Sequence, residues 1–327
     1  MTKVKIYKDI LEAIGNTPIV RLARITHGLK AEIYAKLEFC NPIGSVKDRI
    51  AKYMIEKAEK EGKIKPGTTI IENSSGNTAL ALAGVCALKG YKSKIIIRDN
   101  LSREKVRFLE AMNVDLVRVD HTIPPDSPNS YNNLALKIAA ETPGSYYLDQ
   151  HNNRDNNETH YLTTGPEIWE QMEGRIDYFI AGIGTGGTIC GAAQYLREKD
   201  PNIKVIAVDP VGSVFYDYFY KKSATPQPSP YLIEGLGDEF LIGCADFSVI
   251  NEMVKVTDND AFLTARKLAV IESIMAGGSS GAALWATMEI ARKIDYRARI
   301  ITIFPDSANR YLSNIFNDAW LQEKGFI

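Results

Sequence analysis

Residues 177–196 read DYFIAGIGTGGTICGAAQYL. The apolar run DYFIA predicts a buried strand, and the residues from Thr188 onward have the apolar spacing of a helix. Between them Gly184, Gly186 and Gly187 allow the backbone to close around a ligand that side chains would keep away. A strand, a glycine turn and a helix start together present backbone N–H groups and the positive end of a helix dipole. The stretch therefore predicts an α/β fold with a phosphate-binding turn.

The same glycines leave two other interpretations open. Gly182, Gly184 and Gly187 fit the spacing G-x-G-x-x-G, and Asp209 ends the next predicted strand, where the ribose-binding acid of a dinucleotide site would lie. A nicotinamide-dependent dehydrogenase is one alternative. The other is a tight strand-to-helix turn that binds no ligand.

Short β-branched runs alternate with longer helical patterns along the chain, which is typical of a mostly parallel α/β sheet. The predicted strands are TIIEN (69–73), KIIIR (94–98), VDLVRV (114–119), DYFIAG (177–182), KVIAVD (204–209) and RIITIF (299–304). Proline, serine and asparagine predict loops at 121–133 and from about Gly212 to Gly235. We expect two lobes, a smaller one of residues 41–148 and a larger one of residues 1–40 and 149–327.

Composition favours small molecules or other protein chains as partners over nucleic acid or a membrane. The 327 residues carry a formal net charge of -1, with both signs interspersed, so neither nucleic acid nor a membrane is an expected partner. The four cysteines form no CxxC pair and have no metal-ligand spacing with the four histidines, so no metal site is expected. The first residues lack the apolar core of a signal peptide, and a cytoplasmic location is the default expectation.

Two further loop-to-helix junctions are rich in small polar residues. In ENSSGNTALALAG (72–84), Ser74, Ser75, Asn77 and Thr78 crowd one turn, where they could hold a carboxylate or only cap the helix. The stretch AGGSSGAAL (276–284) has a similar composition before a helix.

Lys47 lies in NPIGSVKDR (41–49), between a glycine-containing turn and the helical pattern IAKYMIEKAEKEG. A lysine at such a place is commonly a solvated helix residue. However, Lys47 belongs to the first of four motifs that each lie at a predicted loop-to-helix edge, in the order GSVKDR, SSGNT, GTGGT and GGSSG. The presence of all four motifs favours a reactive amine.

The ordered set of motifs resembles the fold-type II pyridoxal 5'-phosphate (PLP) enzymes, in particular the cysteine synthase and cystathionine β-synthase family. The resemblance covers nearly the whole chain and is carried by ILEAIGNTPIVRL, NPIGSVKDR, SSGNT, LDQHNN, HYLTTGPEIWE, GTGGT, VDPVGS, IEGLGDEF, GGSSGAA and PDSANRYL. It implies a tryptophan synthase β-like fold, in which two lobes have twisted, mostly parallel sheets flanked by helices and the smaller lobe is mobile. It also implies a homodimer, with ILEAIGNTPIVRL as part of the contact.

Position by position, the resemblance implies a role for each motif. Lys47 would bind PLP as a Schiff base and, once displaced, would remove the substrate's Cα proton. Asn77 would bind the ring hydroxyl of PLP, and Ser279 would face its pyridine nitrogen. The phosphate would be bound by Gly184, Thr185, Gly186, Gly187 and Thr188. The substrate α-carboxylate would be bound by Ser74, Ser75, Asn77, Thr78 and Gln150.

The reaction implied is β-replacement. A small L-amino acid such as serine, O-acetylserine or cysteine would lose its β-substituent to give an aminoacrylate, and a thiol or hydrosulfide would add at Cβ. A catalytically silent relative that only binds cofactor or a partner is a further interpretation, and the retention of Lys47 with the carboxylate turn argues against it.

Two departures from the family pattern leave the second substrate open. Asp238, in EGLGDEF, lies where cystathionine β-synthases have tyrosine. It is either a catalytic base or a solvated loop acid. In ENSSGNTA, Asn73, Ser74 and Ala79 replace proline, threonine and glycine. The alternatives are therefore a hydrolytic or eliminating enzyme that converts cysteine to serine and hydrogen sulfide with Asp238 as base, and β-replacement with an amine nucleophile.

Overall fold

The structure, a computed structural model, describes residues 6–124, 127–222 and 227–327. These residues form mostly parallel β-sheets flanked by helices, so the predicted α/β fold class is confirmed. Among the described residues, every helix falls short of the length and apolar character that crossing a bilayer requires.

The strands are β1 (Ile19–Arg21), β2 (Glu32–Leu37), β3 (Thr69–Asn73), β4 (Lys92–Arg98), β5 (Asp115–Val119), β6 (Tyr146–Tyr147), β7 (Tyr178–Gly182), β8 (Lys204–Pro210), β9 (Glu252–Val256) and β10 (Arg299–Phe304). The helices are α1 (Lys47–Lys60), α2 (Asn77–Lys89), α3 (Arg103–Ala111), α4 (Tyr131–Glu141), α5 (Asp155–Leu162), α6 (Thr164–Gln171), α7 (Gly187–Lys199), α8 (Phe215–Lys221), α9 (Asp258–Glu272), α10 (Gly278–Ala291) and α11 (Asp318–Glu323).

The chain divides into two compact units. One contains residues 6–17 and 40–149, and the other contains residues 18–39, 150–222 and 227–327. Residues 6–17 thus belong with the unit that carries Lys47, whereas the sequence expectation placed 1–40 in the larger lobe. Hydrogen bonds explain this, because the Gly15 N–H donates to Asn41 Oδ1 at 2.8 Å and Arg49 Nη2 lies 3.3 Å from Thr17 Oγ1. The mobility of the smaller lobe stays a prediction.

The first unit is built on a four-stranded parallel sheet in the order β5-β4-β3-β6. Its central strands are rich in isoleucine and largely buried, as expected for parallel strands that are covered on both faces. Helix α2 packs on α1, and its alanines and leucines belong to the core of this unit. Both β3 and α2 therefore meet at the polar turn 74–76.

The second unit is built on a six-stranded sheet in the order β1-β2-β10-β7-β8-β9. β1 is antiparallel to β2, and the other neighbouring pairs are parallel. Helices α9 and α10 pack closely, because a Cβ on Gly281 would lie only 2.0 Å from the Ala261 carbonyl oxygen. Helix α7 packs against α5 and α6, and this trio flanks the glycine turn.

All six predicted strands are present, but the strands β1, β2, β6 and β9 were missed. The predicted loop between Gly212 and Gly235 was wrong in its first part, because Phe215–Lys221 form α8. Aromatic contacts stabilise this helix, including a tilted Tyr216–Tyr220 pair with ring centroids 4.7 Å apart. In the other predicted loop, α4 begins at Tyr131. Residues 125–126 and 223–226 of these loops lie outside the described residues.

A buried ion pair ties the six-stranded sheet to α6. Lys36 on β2 has no exposed surface, and its Nζ lies 2.8 Å from the Glu167 carboxylate and 2.9 Å from Gln171 Oε1. Removing one partner of such a pair leaves an uncompensated buried charge, which is strongly destabilising.

We expect Lys36→Met to lower the free energy of unfolding by about 3–5 kcal/mol, because Glu167 loses its buried cation. Urea unfolding measures this. Lys63→Met is the control, since its pair with Glu61 is exposed, and it should change stability little. Equal effects of the two substitutions would contradict the prediction.

Candidate active site

Lys47 is the first residue of α1, and its position is fixed by the buried carboxylate next to it. Asp48 accepts a hydrogen bond from the Ile43 N–H at 2.7 Å and faces the Ser45 hydroxyl at 3.4 Å. The Lys47 N–H donates to Ser45 Oγ at 3.2 Å, and the turn contains Gly44 with a φ of 96°. The half-buried Lys47 therefore follows a rigid turn, whereas a simple solvated helix lysine would need none of these contacts.

In the predicted carboxylate turn, Ser74 and Ser75 lie between β3 and α2, and Asn77 and Thr78 are the first two residues of α2. The oxygen of Ser74 accepts from the N–H groups of Gly76 and Ala79, both at 3.3 Å. Ser74 thus stabilises the start of α2, as the capping interpretation predicted, while its hydroxyl proton can still be donated.

Ser75 differs from Ser74 because its hydroxyl is engaged by the scaffold. Its oxygen accepts from the Arg98 N–H at 2.7 Å, and the hydroxyl also hydrogen-bonds Tyr131. Burial raises the pKa of Tyr131, so this phenol remains neutral. Ser75 therefore joins the turn to β4 and α4.

Asn73, which replaces the proline of the family pattern, lies beneath this turn and is buried. Its Oδ1 accepts from the Tyr147 hydroxyl at 2.6 Å, and its Nδ2 donates to Asn132 Oδ1. Burial, and then the nearby Glu72 carboxylate, raises the pKa of Tyr147. The Asn73 amide thus connects the turn to β6 and α4, and its hydrogen bonds to Tyr147 and Asn132 have a structural role.

The glycine turn between β7 and α7 is packed so tightly that side chains are excluded. A Cβ on Gly184 would lie 2.3 Å from the Gly235 carbonyl oxygen, and a Cβ on Gly187 would lie 1.8 Å from Asn156 Oδ1. Gly186 has a φ of 83° and precedes α7, where a glycine can offer no side-chain cap to the first N–H groups. Such a turn fits a phosphate, because the backbone donors of α7 are left for an outside anion.

Two threonines complete this turn. Thr185 Oγ1 lies 3.0 Å from Asn156 Nδ2, and Thr188 Oγ1 lies 3.1 Å from His160 Nε2. Asn156 and His160 are buried residues of α5, and sequence reasoning did not single them out. The sequence did contain a signal for these two residues, because His160 begins the HYLTTGPEIWE motif and Asn156 lies four residues before it.

Ser279 lies in the first turn of α10 and is buried, as a residue facing a bound ring would be. The Gly277 N–H donates to the Asp306 carbonyl at 3.1 Å, and a Cβ on Gly277 would lie 2.2 Å from Asp306 Oδ1. The start of α10 is therefore fixed on the PDSANRYL segment.

Gln150 and Asp238, the remaining predicted site residues, belong to the second unit. Gln150 is buried, and its carbonyl accepts from Asn156 Nδ2 at 2.7 Å. The Asp238 N–H donates to Ser213 Oγ at 3.1 Å, and Asp238 Oδ1 accepts from the Glu239 N–H at 2.7 Å. This carboxylate is therefore oriented, which a solvated loop acid would not be.

A histidine faces the oriented carboxylate, and sequence reasoning missed it. His151 Nε2 lies 3.9 Å from Asp238 Oδ2, and each side chain is 17% exposed. The His151 ring also packs edge-on against Phe240, with the centroids 6.5 Å apart. The pair is thus largely buried and is shielded by Phe240 on one side.

Asp209, the residue on which the dinucleotide alternative depends, is fully buried. Its Oδ2 accepts from the Tyr216 N–H at 2.9 Å, and Ser213 hydrogen-bonds the same carboxylate. Because Ser213 also accepts from the Asp238 N–H, Asp209 supports the loop that carries Asp238. A ribose hydroxyl has no access to it.

The turns, the lysine and the fold together define a PLP-dependent α/β enzyme. The family of pyridoxal-phosphate dependent enzymes matches residues 10–306, and the chain belongs to this family. The predicted cofactor, PLP, is thereby confirmed, and the nicotinamide alternative is wrong.

Several known proteins are similar to the chain over most of its length. Cystathionine beta-synthase from Apis mellifera is 44% identical over 99% of this chain and 64% of its own length, and that from Mus musculus is 42% identical over 99% and 58%. Cysteine synthase from Staphylococcus aureus is 40% identical over 93% of this chain and 95% of its own length. The chain therefore spans less than two thirds of these two cystathionine beta-synthases.

A solved structure is similar as well. The structure of a hydrogen sulfide-producing enzyme from Fusobacterium nucleatum matches with a TM-score of 0.87 and 35% identity. The match covers 94% of this chain and 100% of that one. The predicted resemblance to the cysteine synthase and cystathionine β-synthase family is confirmed by these relatives together.

Asp209 makes stability depend on pH. Burial raises its pKa to about 7, against an ordinary value of 3.8. Between these values the folded protein holds a proton that the unfolded chain has lost, so this group's contribution to stability falls as the pH rises from about 4 to about 7.

We expect Asp209→Asn to remove this loss, because an amide does not ionise. The free energy of unfolding of Asp209→Asn minus that of wild type should be more positive at pH 8 than at pH 5, by on the order of 2 kcal/mol. Urea unfolding at both pH values measures the difference. Asp217→Asn is the control, since the cation Lys221 lowers the pKa of Asp217 and this group is ionised at both. A difference for Asp209→Asn that is the same at pH 5 and pH 8 would refute the assignment.

Proposed function

We propose that the chain catalyses PLP-dependent β-replacement on a small L-amino acid such as serine, O-acetylserine or cysteine. The observation that carries the proposal is a lysine at a rigid helix start in a chain that also has a side-chain-free glycine turn. The names of the relatives, cystathionine beta-synthase and cysteine synthase, support the reaction class.

In this proposal the chain's own residues hold both ends of the cofactor. Lys47 Nζ would bind the aldehyde carbon of PLP, and the turn 184–188 would bind its phosphate. Asn77 binds the ring hydroxyl, and Ser279 faces the pyridine nitrogen. Bound PLP supplies an electron sink for the bonds at the substrate's Cα. A serine opposite the ring nitrogen, unlike a carboxylate, would leave that nitrogen unprotonated, which would favour loss of a β-substituent over transamination.

The protein positions the substrate and moves its protons. Lys47 Nζ, as a free amine, would take the substrate's Cα proton as a general base. The substrate α-carboxylate is bound by Ser74, Ser75, Asn77, Thr78 and Gln150. Ser74 offers its hydroxyl proton, whereas the contribution of Ser75 comes mainly through its place in the turn, because Arg98 and Tyr131 hold its hydroxyl.

We expect Lys47→Ala to abolish covalent attachment of PLP, because no other amine would hold the aldehyde. Borohydride reduction of the holo-protein, followed by peptide mass spectrometry, should find the cofactor on residue 47 in wild type and on no lysine in the variant. Turnover should fall roughly 10²–10⁴-fold, as for loss of a general base. Lys60→Ala, an exposed lysine of the same helix, is the control and should keep both. Cofactor found on a different lysine of wild type would sink the proposal.

A second candidate is the hydrolytic turn of the same chemistry. Cysteine and water would give serine and hydrogen sulfide, with a C–S bond broken and a C–O bond formed at Cβ. The paired His151 and Asp238 favour it, because an oriented carboxylate beside an imidazole can accept the proton of an incoming water or thiol. The similar structure from Fusobacterium nucleatum is named a hydrogen sulfide-producing enzyme, which supports the same candidate.

We expect Asp238→Asn to slow addition of the nucleophile far more than loss of the β-substituent. With cysteine in ¹⁸O-labelled water, the first burst of sulfide should keep its rate, while formation of labelled serine should fall roughly 10²–10⁴-fold. His151→Asn should slow the same step by a smaller factor.

Glu239→Gln, next to Asp238, is the matched control and should change neither step. Slowing of both steps to the same degree, or of neither, would exclude Asp238 as the base. If wild type forms no labelled serine and gives a product only when an amine or thiol is added, the result supports β-replacement instead of hydrolysis.

We also propose a homodimer in the cytoplasm. The segment ILEAIGNTPIVRL carries exposed apolar side chains, among them Ile10 at 54% and Val20 at 37% exposure, which suits a contact surface.

A further inference from the structure

A second layer of side chains lies behind the glycine turn, on α5. Asn156 and His160 lie one helical turn apart, and neither has exposed surface. Asn156 Nδ2 contacts the Thr185 hydroxyl, and His160 Nε2 contacts the Thr188 hydroxyl. One helix therefore reaches both hydroxyls of the sequence GTGGT.

The direction of the first hydrogen bond follows from a backbone carbonyl. The Gln150 oxygen lies 2.7 Å from the Asn156 amide, and a carbonyl can only accept, so the atom that faces it is Nδ2. The same nitrogen lies 3.0 Å from Thr185 Oγ1 and can only donate to it. Asn156 Oδ1 is buried and has no hydrogen-bond partner among the described residues, so the amide gains nothing by rotating. In this hydrogen bond Thr185 is therefore the acceptor, and the bond does not use its hydroxyl proton.

The second hydrogen bond depends on the tautomer of His160. Its Nδ1 lies 2.8 Å from the Thr164 hydroxyl and its Nε2 lies 3.1 Å from the Thr188 hydroxyl, and either hydroxyl can donate or accept. With the proton on Nε2, Thr164 donates to Nδ1, and Thr188 accepts and keeps its own proton. With the proton on Nδ1, Nε2 is an acceptor, so Thr188 must donate to it. Thr188 then has only lone pairs to present to a ligand of the glycine turn.

We propose that α5 sets both threonines as hydrogen-bond donors to the phosphate of PLP, with Asn156 and His160 as positioning residues and His160 neutral with its proton on Nε2. A phosphate monoester is largely dianionic near neutral pH, so it needs donors on every side and is repelled by lone pairs. The inference rests on the proposed role of turn 184–188 as the phosphate site. It states that Asn156 and His160 determine whether the two threonine hydroxyls donate or accept there.

The tautomer can be measured in the wild-type holoenzyme. The chain has four histidines, and ¹⁵N-histidine labelling resolves the ring nitrogens, with His160→Gln used only to assign the signals. The expected spectrum shows His160 neutral, with the proton on Nε2, across pH 6 to roughly 8. A proton on Nδ1, or a doubly protonated ring, would overturn the proposal.

A double-mutant cycle tests whether the side chains act through the threonines. Thr188→Val should raise the dissociation constant of PLP roughly tenfold or more, as expected for a lost hydrogen bond to a charged group, and should move the ³¹P signal of bound PLP. His160→Leu should weaken binding by itself and add nothing in the Thr188→Val background. Thr159→Val is the control, since this buried hydroxyl of α5 donates to Asp155 and contacts no residue of the turn.

The outcomes separate this inference from the site assignment. Additive effects of His160→Leu and Thr188→Val would overturn the role of α5 while leaving the phosphate site intact. If Thr185→Val and Thr188→Val change neither the PLP affinity nor the ³¹P signal, the phosphate lies elsewhere, and both the site and the inference fall.

Discussion

The close approach of other chain segments to Gly184, Gly186 and Gly187 is the constraint on which the second unit's candidate site depends. At each of these glycines a Cβ would meet an atom from a different part of the chain at 2.6 Å or less. The nearest neighbours are the carbonyl oxygen of Gly235, backbone atoms of Cys244 and Ala245, and the side chain of Asn156. No flexible side chain end could move aside for the first two, so only glycine satisfies these positions. Helix α7 therefore follows a glycine, which offers no side-chain cap to its first N–H groups.

The same packing determines where the rest of this unit's polar groups lie. The Gly237 N–H donates to the Ile183 carbonyl at 2.8 Å, so the segment before Asp238 runs directly along the glycine turn. Ser213 then holds the Asp238 N–H, and Asp209 hydrogen-bonds Ser213. Asp238 is therefore coupled to the turn through a few backbone contacts and one buried acid.

Sequence could predict what short turns determine and could not predict what distant segments bring together. Lys47 and the glycine turn each lie at a local turn-to-helix or strand-to-helix junction, so the sequence could predict these junctions, while the roles of the residues toward PLP stay predictions. The pairing of His151 with Asp238 depends on how two loops pack, and neither residue carries a local sign of the other. Strand β9, EMVKV, lies at the edge of its sheet and has charged residues at two of its five positions, so it lacks the apolar run that marked the central strands. Helix α8 was missed because its aromatic residues precede a segment rich in proline and serine.

Helix capping and anion binding, which the sequence presented as competing interpretations, are compatible at this type of site. A hydroxyl has one proton and two lone pairs, so N–H groups that bond its oxygen leave the proton as the group it can offer. Ser74 accepts from the N–H groups of Gly76 and Ala79, and Thr185 accepts from the Asn156 amide. Each hydroxyl is thereby turned into a donor, and each lies beside the first turn of a helix, where the macrodipole favours an anion. A serine turn in one unit and a threonine turn in the other can therefore present donors to two different anions by the same physical means.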